Sequence, residues 1–140
     1  MFITFSSYAD IDKTKYYSVF ESNSLVEIEA EIIVLKKQKT SVNNSAFLGA
    51  MIMKKAQFMK TPKEKIATFK KGKMLLEEAI KQHPENSTYR FLRLAIQENC
   101  PKILKYNSQI KADAEMVQLH FSKFDSETRR FVRNYAKTSK

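Results

Sequence analysis

The apolar residues of this chain recur every three or four positions, the spacing that places side chains on one face of an α-helix. One such segment carries four apolar residues in a single stripe: Leu25, Ile28, Ile32 and Leu35. Ser24 precedes the stripe and Glu27 lies three residues later, a capping-box pattern that marks a helix start. The pattern therefore predicts a helix from Leu25 to about Gln38.

Other segments repeat this signal, and the predicted helices cover residues 10–21, 25–38, 45–60, 62–82, 87–99, 109–123 and 126–137. The sharpest boundary is Thr61-Pro62-Lys63-Glu64, with an N-cap, a proline at the first helical position and a capping-box Glu. Residues 40–44 are polar and predict a turn. The predicted fold class is all-α, with about seven helices that run antiparallel to their neighbours because the connections are short.

The composition agrees with one folded helical domain. The chain has 140 residues, of which 43% are hydrophobic and 29% charged, and it has too few glycines and prolines for many strand turns. Residues 10–140 are predicted to form a single helical domain. Residues 1–9 resemble the end of a secretory signal but have no basic region, which predicts a disordered or residual signal segment. The sequence leaves two locations open, the cytoplasm or, if a signal sequence lies upstream of Met1, the periplasm.

The sequence has no motif for catalysis or for a cofactor. It has no nucleotide-binding loop, no zinc-ligand spacing and no nucleophile elbow. Cys100 is the single cysteine, and neither His83 nor His120 lies in a recognisable motif. No apolar run reaches the ~18 residues needed to span a bilayer. We therefore expect a protein that is not an enzyme and uses neither cofactor nor metal.

One polar group on the fifth predicted helix is suited to binding a partner. Arg90, Arg93 and Gln97 are spaced three and four apart and share one face, and Tyr106 follows in the next connector. An arginine pair can bind a carboxylate through two parallel hydrogen bonds. These four residues are the predicted partner-binding site. The alternatives are an internal network that fastens residues 100–108 to the helix, or simple solvent exposure.

The positive charge is concentrated in one segment. Residues 36–73 contain eleven lysines and one acid, whereas the rest of the chain contains fourteen basic and fourteen acidic residues. This segment predicts a polyanion-binding surface for nucleic acid or an anionic surface, with Lys54, Lys55, Lys63 and Lys65 as its residues. Lysine lacks the bidentate fork of arginine, so a role in solubility remains the alternative. Glu27, Glu29 and Glu31 alternate and predict a solvated face rather than a metal site.

Part of the chain resembles a tetratricopeptide hairpin. Leu48-Gly49 matches the first helix of that repeat, and four residues match its second helix: Gly72, Leu76, Ala79 and Pro84. Gly72 lies on the apolar face, where glycine costs up to ~1 kcal/mol against alanine. We therefore expect the backbone of a neighbouring helix to approach closely at Gly72.

Residues 45–113 also resemble small uncharacterised helical proteins of the Bacteroidetes. The matching words are Leu48-Gly49-Ala50, Phe69-Lys70-Lys71-Gly72, Arg90-Phe91-Leu92-Arg93, Gln97-Glu98-Asn99-Cys100-Pro101 and Tyr106-Asn107. The resemblance implies a tetratricopeptide-like helical fold, and some members of the group are exported. It implies no activity and transfers no functional residues.

Together these observations predict a non-enzymatic protein-interaction or structural module built on helical hairpins, with an unidentified protein or peptide as its partner. Folds of this kind bind peptides or subunits in a concave face between helices. The second hypothesis is a basic module that binds nucleic acid or an anionic surface through residues 36–73. Homodimerisation is also compatible with the sequence, because the apolar faces are wide for so small a domain.

Overall fold

A computed structural model describes residues 11–135 of the chain, and these residues form helices and connections without any strand. The seven α-helices are α1 (Lys13–Glu21), α2 (Leu25–Lys37), α3 (Val42–Ala56), α4 (Pro62–Gln82), α5 (Ser87–Gln97), α6 (Ile110–His120) and α7 (Ser126–Tyr135). Two short 3₁₀ turns cover Lys102–Leu104 and Phe121–Lys123. The predicted all-α class is thereby confirmed, whereas the prediction for residues 1–9 falls outside the described residues.

The structure confirms the helix starts that the sequence predicted at Ser24 and Thr61, where the capping residue and its partner lie three residues apart. Ser24 accepts a hydrogen bond from the Glu27 backbone N–H at 3.3 Å, and Thr61 accepts one from the Glu64 N–H at 3.1 Å. These bonds satisfy backbone donors that have no partner within the helix. The predicted start of α1 at residue 10 was wrong, because the Asp12 carboxylate caps the helix through the Lys15 N–H at 3.1 Å.

The predicted turn at residues 40–44 was also wrong. Ser41 accepts a hydrogen bond from the Asn44 N–H at 3.0 Å, so α3 begins at Val42 inside that polar segment. Asn44 is buried, and its side-chain amide donates to the carbonyl of Leu35 at 3.0 Å and to Gln38 at 3.1 Å. A polar residue that looked suited to a turn thus satisfies the free carbonyls at the end of α2.

The helices pack around one continuous core that extends in sequence from Tyr16 to Val132. Helix α3 contacts α2, α4 and α5. Helix α5 is central as well, since every residue from 91 to 97 is buried. Helix α7 packs on α1 and α5. Helices α1 and α7 run parallel, because Lys13 pairs with Asp125 where both helices begin and the rings of Phe20 and Tyr135 meet where both end.

The α3–α4 contact is the most extensive in the fold, and two glycines set its closeness. A Cβ atom at Gly49 would lie 2.6 Å from the Gly72 carbonyl oxygen, and one at Gly72 would lie 2.5 Å from the Gly49 carbonyl oxygen. No real Cβ contact is that short, so both positions require glycine while the helices stay this close. The expected close approach at Gly72 is confirmed, and its partner is the backbone of Gly49.

The solvated acidic face predicted for α2 is only partly correct. Glu27 and Glu29 are exposed, but Glu31 is buried, with 5% of its surface accessible. Burial raises the pKa of the Glu31 carboxyl, an effect that the charge of Lys15 partly offsets. Acidic residues at alternate positions point in different directions on a helix, and here one of those directions leads inward.

Gly72→Ala should destabilise the protein by about 1–3 kcal/mol, because the added methyl group meets backbone atoms that cannot rotate away. This cost exceeds the gain of up to ~1 kcal/mol in helix propensity. The free energy of unfolding in urea, followed by circular dichroism, measures the difference. Lys71→Ala, an exposed neighbour on the same helix, should stay within about 0.5 kcal/mol of the wild type. A Gly72→Ala protein as stable as the wild type would contradict the close packing.

Candidate functional site

The arginines that the sequence singled out converge on one buried carboxylate. Arg93 on α5 donates from Nε and Nη2 to the two oxygens of Asp113 on α6, at 2.7 and 2.9 Å. Arg90, one turn earlier, donates from Nε to the same carboxylate and from Nη1 to the carbonyl of Pro84 at 2.8 Å. The Asp113 side chain is completely buried. The pair therefore has the bidentate geometry that gives arginine–carboxylate contacts their strength.

A second carboxylate extends this cluster to α4 and to the connector after α5. Glu77 lies 3.1 Å from Nη1 of Arg93. It also accepts a hydrogen bond from the hydroxyl of Tyr106 at 2.6 Å. The Tyr106 ring packs edge-on against Phe69 with centroids 5.6 Å apart, and Lys73 lies over its face at 5.0 Å. We call Glu77, Arg90, Arg93, Tyr106 and Asp113 the buried polar cluster.

Gln97, the fourth predicted site residue, fixes the start of α6. Its side-chain amide donates to the Gln109 side chain at 2.6 Å and accepts from the Gln109 backbone N–H at 3.2 Å. The four predicted partner-binding residues thus lie side by side, as the helical spacing indicated, and their polar groups bind residues of the same chain. This is the arrangement of the alternative hypothesis, an internal network that fastens the connector. A role in partner binding stays a prediction, and all three nitrogens of the Arg93 guanidinium donate to Asp113 or Glu77.

The electrostatics of the cluster follow from burial. Burial by itself would lower the pKa of Arg93, but the hydrogen bonds and charges of Asp113 and Glu77 raise it overall. Burial, with the hydrogen bond to Glu77, raises the pKa of the Tyr106 hydroxyl far above its usual value. Arg93 therefore remains a cation and Tyr106 a neutral donor at any physiological pH. Two cations and two carboxylates leave the cluster without net charge.

The sequence reasoning missed both carboxylates of this cluster. Glu77 lies between Lys73 and Lys81 in the sequence, which is the pattern of a surface ion pair. Asp113 carried a usable signal, because it lies three residues after Ile110 and four before Val117, on the apolar stripe of its helix. An acid in that position needs a cationic partner when it is buried, and Arg93 is the buried arginine that meets it.

Asp113→Asn should destabilise the protein by about 3–5 kcal/mol, because it leaves the buried Arg93 guanidinium with half of its compensating charge. The urea unfolding free energy at pH 7 tests this expectation. Glu78→Gln removes an exposed carboxylate from α4 and should change stability by less than about 0.5 kcal/mol. If both variants unfolded at the same urea concentration, the cluster would not be stabilising the packing of α5 on α6.

A separate groove opens on the other side of Phe69, with a volume of about 190 Å³. Five parts of the chain converge on it: α3, α4, α5, the connector after α5 and the end of α7. Apolar side chains form most of its walls: Met53, Ala56, Phe69, Ala95, Ile96, Pro101, Leu104 and Tyr135. Two wider depressions, of about 490 and 450 Å³, are more open and are lined mostly by polar residues. The groove is therefore a concave apolar site on the described surface.

Two lysines border this groove, and both belong to the residues predicted for polyanion binding. Lys54 is half-buried, with its ammonium 5.2 Å from the Phe20 ring centroid and 5.7 Å from that of Tyr135. Burial lowers the pKa of Lys54, and the charge of Glu21 partly restores it. Lys65 is exposed at the groove. None of the described residues that line the groove is Asp or Glu, so Lys54 and Lys65 are the charged residues of its lining.

The remaining predicted lysines lie outside the groove. Lys55 is 3.8 Å from the Glu29 carboxylate, and Lys63 is exposed on the first turn of α4. The lysines at the α2–α3 turn are separated from those at the α3–α4 turn by the length of α3, about 22 Å at 1.5 Å per residue. That distance exceeds the Debye length of ~8 Å at physiological salt. The lysines at the α2–α3 turn therefore do not share one patch with those at the α3–α4 turn.

Other reactive side chains show no arrangement for catalysis within the described residues. The pKa of Cys100, at the groove, is raised by burial and partly restored by the charge of Lys73, which leaves a weakly nucleophilic thiol. His120 is 3.1 Å from the hydroxyl of Ser87. In residues 11–135 no three His, Cys, Asp or Glu side chains are grouped to hold a metal ion, and no helix there is both long and apolar enough to cross a membrane.

Comparison of the chain with models of known protein families, with curated proteins and with solved structures finds no match.

Proposed function

We propose that this protein is a non-enzymatic interaction module, with a tetratricopeptide-like α3–α4 hairpin, that binds a partner protein by taking one of its apolar side chains into the groove. The observation that carries the proposal is the composition of the groove, which has apolar walls from five parts of the chain and lysines on its border. Protein interfaces concentrate their binding energy in a few apolar anchors that fill pockets of this kind.

The size of the groove supports a side chain as the ligand. Sites for drug-sized ligands and cofactors usually measure ~300–1,000 Å³, and the groove holds about 190 Å³. That volume suits one large aliphatic or aromatic residue of a peptide. Phe69 and Ile96 are buried in the core, so the walls of the groove are held in place before any partner arrives. A preformed site lowers the ordering cost of binding.

The charge of the groove supports an acidic residue beside the apolar anchor. The ammonium of Lys54 lies near two aromatic rings, and burial removes part of its hydration. A partially desolvated ammonium gains more from a carboxylate than a fully hydrated one does. We therefore expect the partner segment to carry Asp, Glu or a free C-terminal carboxylate next to the anchor.

Selection from a random peptide library on the purified protein tests this proposal. The enriched peptides should share an aromatic or large aliphatic residue next to a carboxylate. Leu104→Asp, which places a negative charge in the groove wall, and Lys65→Glu should each weaken a selected peptide about tenfold or more, as expected for loss of ~1.4 kcal/mol. Fluorescence anisotropy with a labelled selected peptide gives the dissociation constants.

The neighbouring residues provide matched controls. Ile103→Asp changes an apolar residue that is 87% exposed and outside the groove, and Lys63→Glu changes an exposed lysine two positions before Lys65. Both controls should bind the peptide as the wild type does. If no peptide is enriched, or if the controls weaken binding as much as the groove variants, the groove is not the binding site.

Polyanion binding stays the second candidate, because Lys60, Lys63, Lys70 and Lys71 are exposed around the single acid Glu64. A variant with these four lysines changed to Gln spares the groove lysines. We expect the wild type to bind DNA and RNA oligonucleotides weakly at about 50 mM salt. Binding should be lost by about 200 mM salt, because salt competes with the contacts between lysines and phosphates. Tight binding at about 150 mM salt that disappears in the four-lysine variant would favour the second function.

A further inference from the structure

Helix α2 is apolar on two opposite faces. Its inner face carries Ile28, Ile32 and Leu35, which are buried against the core. Its other face also consists of apolar residues at helical spacing: Val26, Ala30, Ile33 and Val34. All four are exposed, and Val26, Ile33 and Val34 have 80%, 54% and 48% of their surface accessible. We call these four residues the outer stripe of α2. A surface helix of a monomer normally has a polar outer face, so this stripe fits a second apolar surface.

The charges along α2 indicate that this second apolar surface is the outer stripe of another copy of the chain. The acids Glu27 and Glu29 lie near its N-terminal end, and Lys36 and Lys37 form its C-terminal end. Two copies of such a helix, placed antiparallel, bring the acidic half of each against the basic half of the other. A twofold axis makes the contact self-complementary, since each residue is used twice. A parallel pair would instead bring like charges together.

We propose that the protein forms a twofold-symmetric homodimer in which the outer stripes of two α2 helices pack antiparallel. The small side chain of Ala30 lies near the middle of the stripe and lets the two backbones approach at the axis. Val26 of one copy then lies near Val34 of the other. Glu29 and Lys36 lie on the same flank of the stripe, and in this register Glu29 is offset from Lys36 of the second copy by about 7.5 Å along the helix, which the two long side chains can span. The Glu29–Lys55 contact of 3.8 Å within the chain remains possible in that arrangement.

This proposal is independent of the proposed function, because the groove and the outer stripe share no residue. A contact between two helices of 13 residues is smaller than the ~1,600 Å² of a standard stable interface. We therefore expect a reversible dimer. Its dissociation constant should lie in the micromolar range, within reach of solution measurements.

Sedimentation velocity from about 1 to about 500 µM tests the dimer. The wild-type mass should rise from one chain to two over this range. Ile33→Asp buries a charge twice in each dimer and should raise the dissociation constant at least about tenfold while the helical circular dichroism stays unchanged. Leu119→Asp is the matched control, since Leu119 is 77% exposed on α6, outside the stripe, and its replacement should leave the mass unaffected. A wild type that remains one chain at about 500 µM overturns the proposal and assigns the stripe to another protein or another part of this chain.

A charge exchange tests the antiparallel geometry. Glu29→Lys and Lys36→Glu should each weaken the dimer severalfold, and the double variant should regain the wild-type constant. In a Cys100→Ser background, Ala30→Cys should form a disulfide between copies faster than Leu119→Cys does. If the double variant is weaker than either single variant, or if Ala30→Cys cross-links no faster than the control, the two helices do not meet in this way.

Discussion

The approach of α3 and α4 at Gly49 and Gly72 is the constraint on which the rest of this structure depends. With the two backbones in contact, Met53 and Phe69 are brought together at the floor of the groove, and Glu77 is brought to the buried polar cluster. If α3 and α4 were farther apart, Met53 would move away from Phe69 and Glu77 would move away from Arg93, because α4 contributes to both the groove and the buried polar cluster. Phe69 connects them directly, since it forms a groove wall and packs on the ring of Tyr106.

The buried polar cluster fixes the position of α5 relative to α6 more strictly than apolar packing alone would. Leu and Ile side chains tolerate small shifts between helices, whereas two guanidinium groups on one carboxylate permit only one register of α5 against α6. Gln97 and Gln109 fix the same register one helical turn closer to the connector. The cluster therefore contributes to the position of the connector that forms one wall of the groove. The hydrogen bonds of its arginines are made inside the chain, whereas two lysines border the groove.

The sequence predicted those features that depend on neighbours in the chain. Thr61, Pro62 and Glu64 define a helix start by local hydrogen bonds alone, and the structure places the start there. Asn44 was misjudged because its partner, the Leu35 carbonyl, belongs to another helix. The sequence analysis grouped Arg90 and Arg93 correctly but could not show that Asp113 meets them from a different helix. The sequence could not predict the groove for the same reason, since its walls come from five separate parts of the chain.

The parallel contact of α1 with α7 has a consequence for how the chain folds. The hydroxyls of Tyr17 and Thr128 lie 2.8 Å apart across 111 residues of sequence, whereas α3 and α4 meet across one short turn. Closing a loop of that length costs more chain entropy than closing a hairpin, and the contacts repay the cost only once the helices between them are in place. The α3–α4 hairpin is thus a contact that costs little chain entropy to close. The contact of α1 with α7 brings together the first and last helices of the described chain.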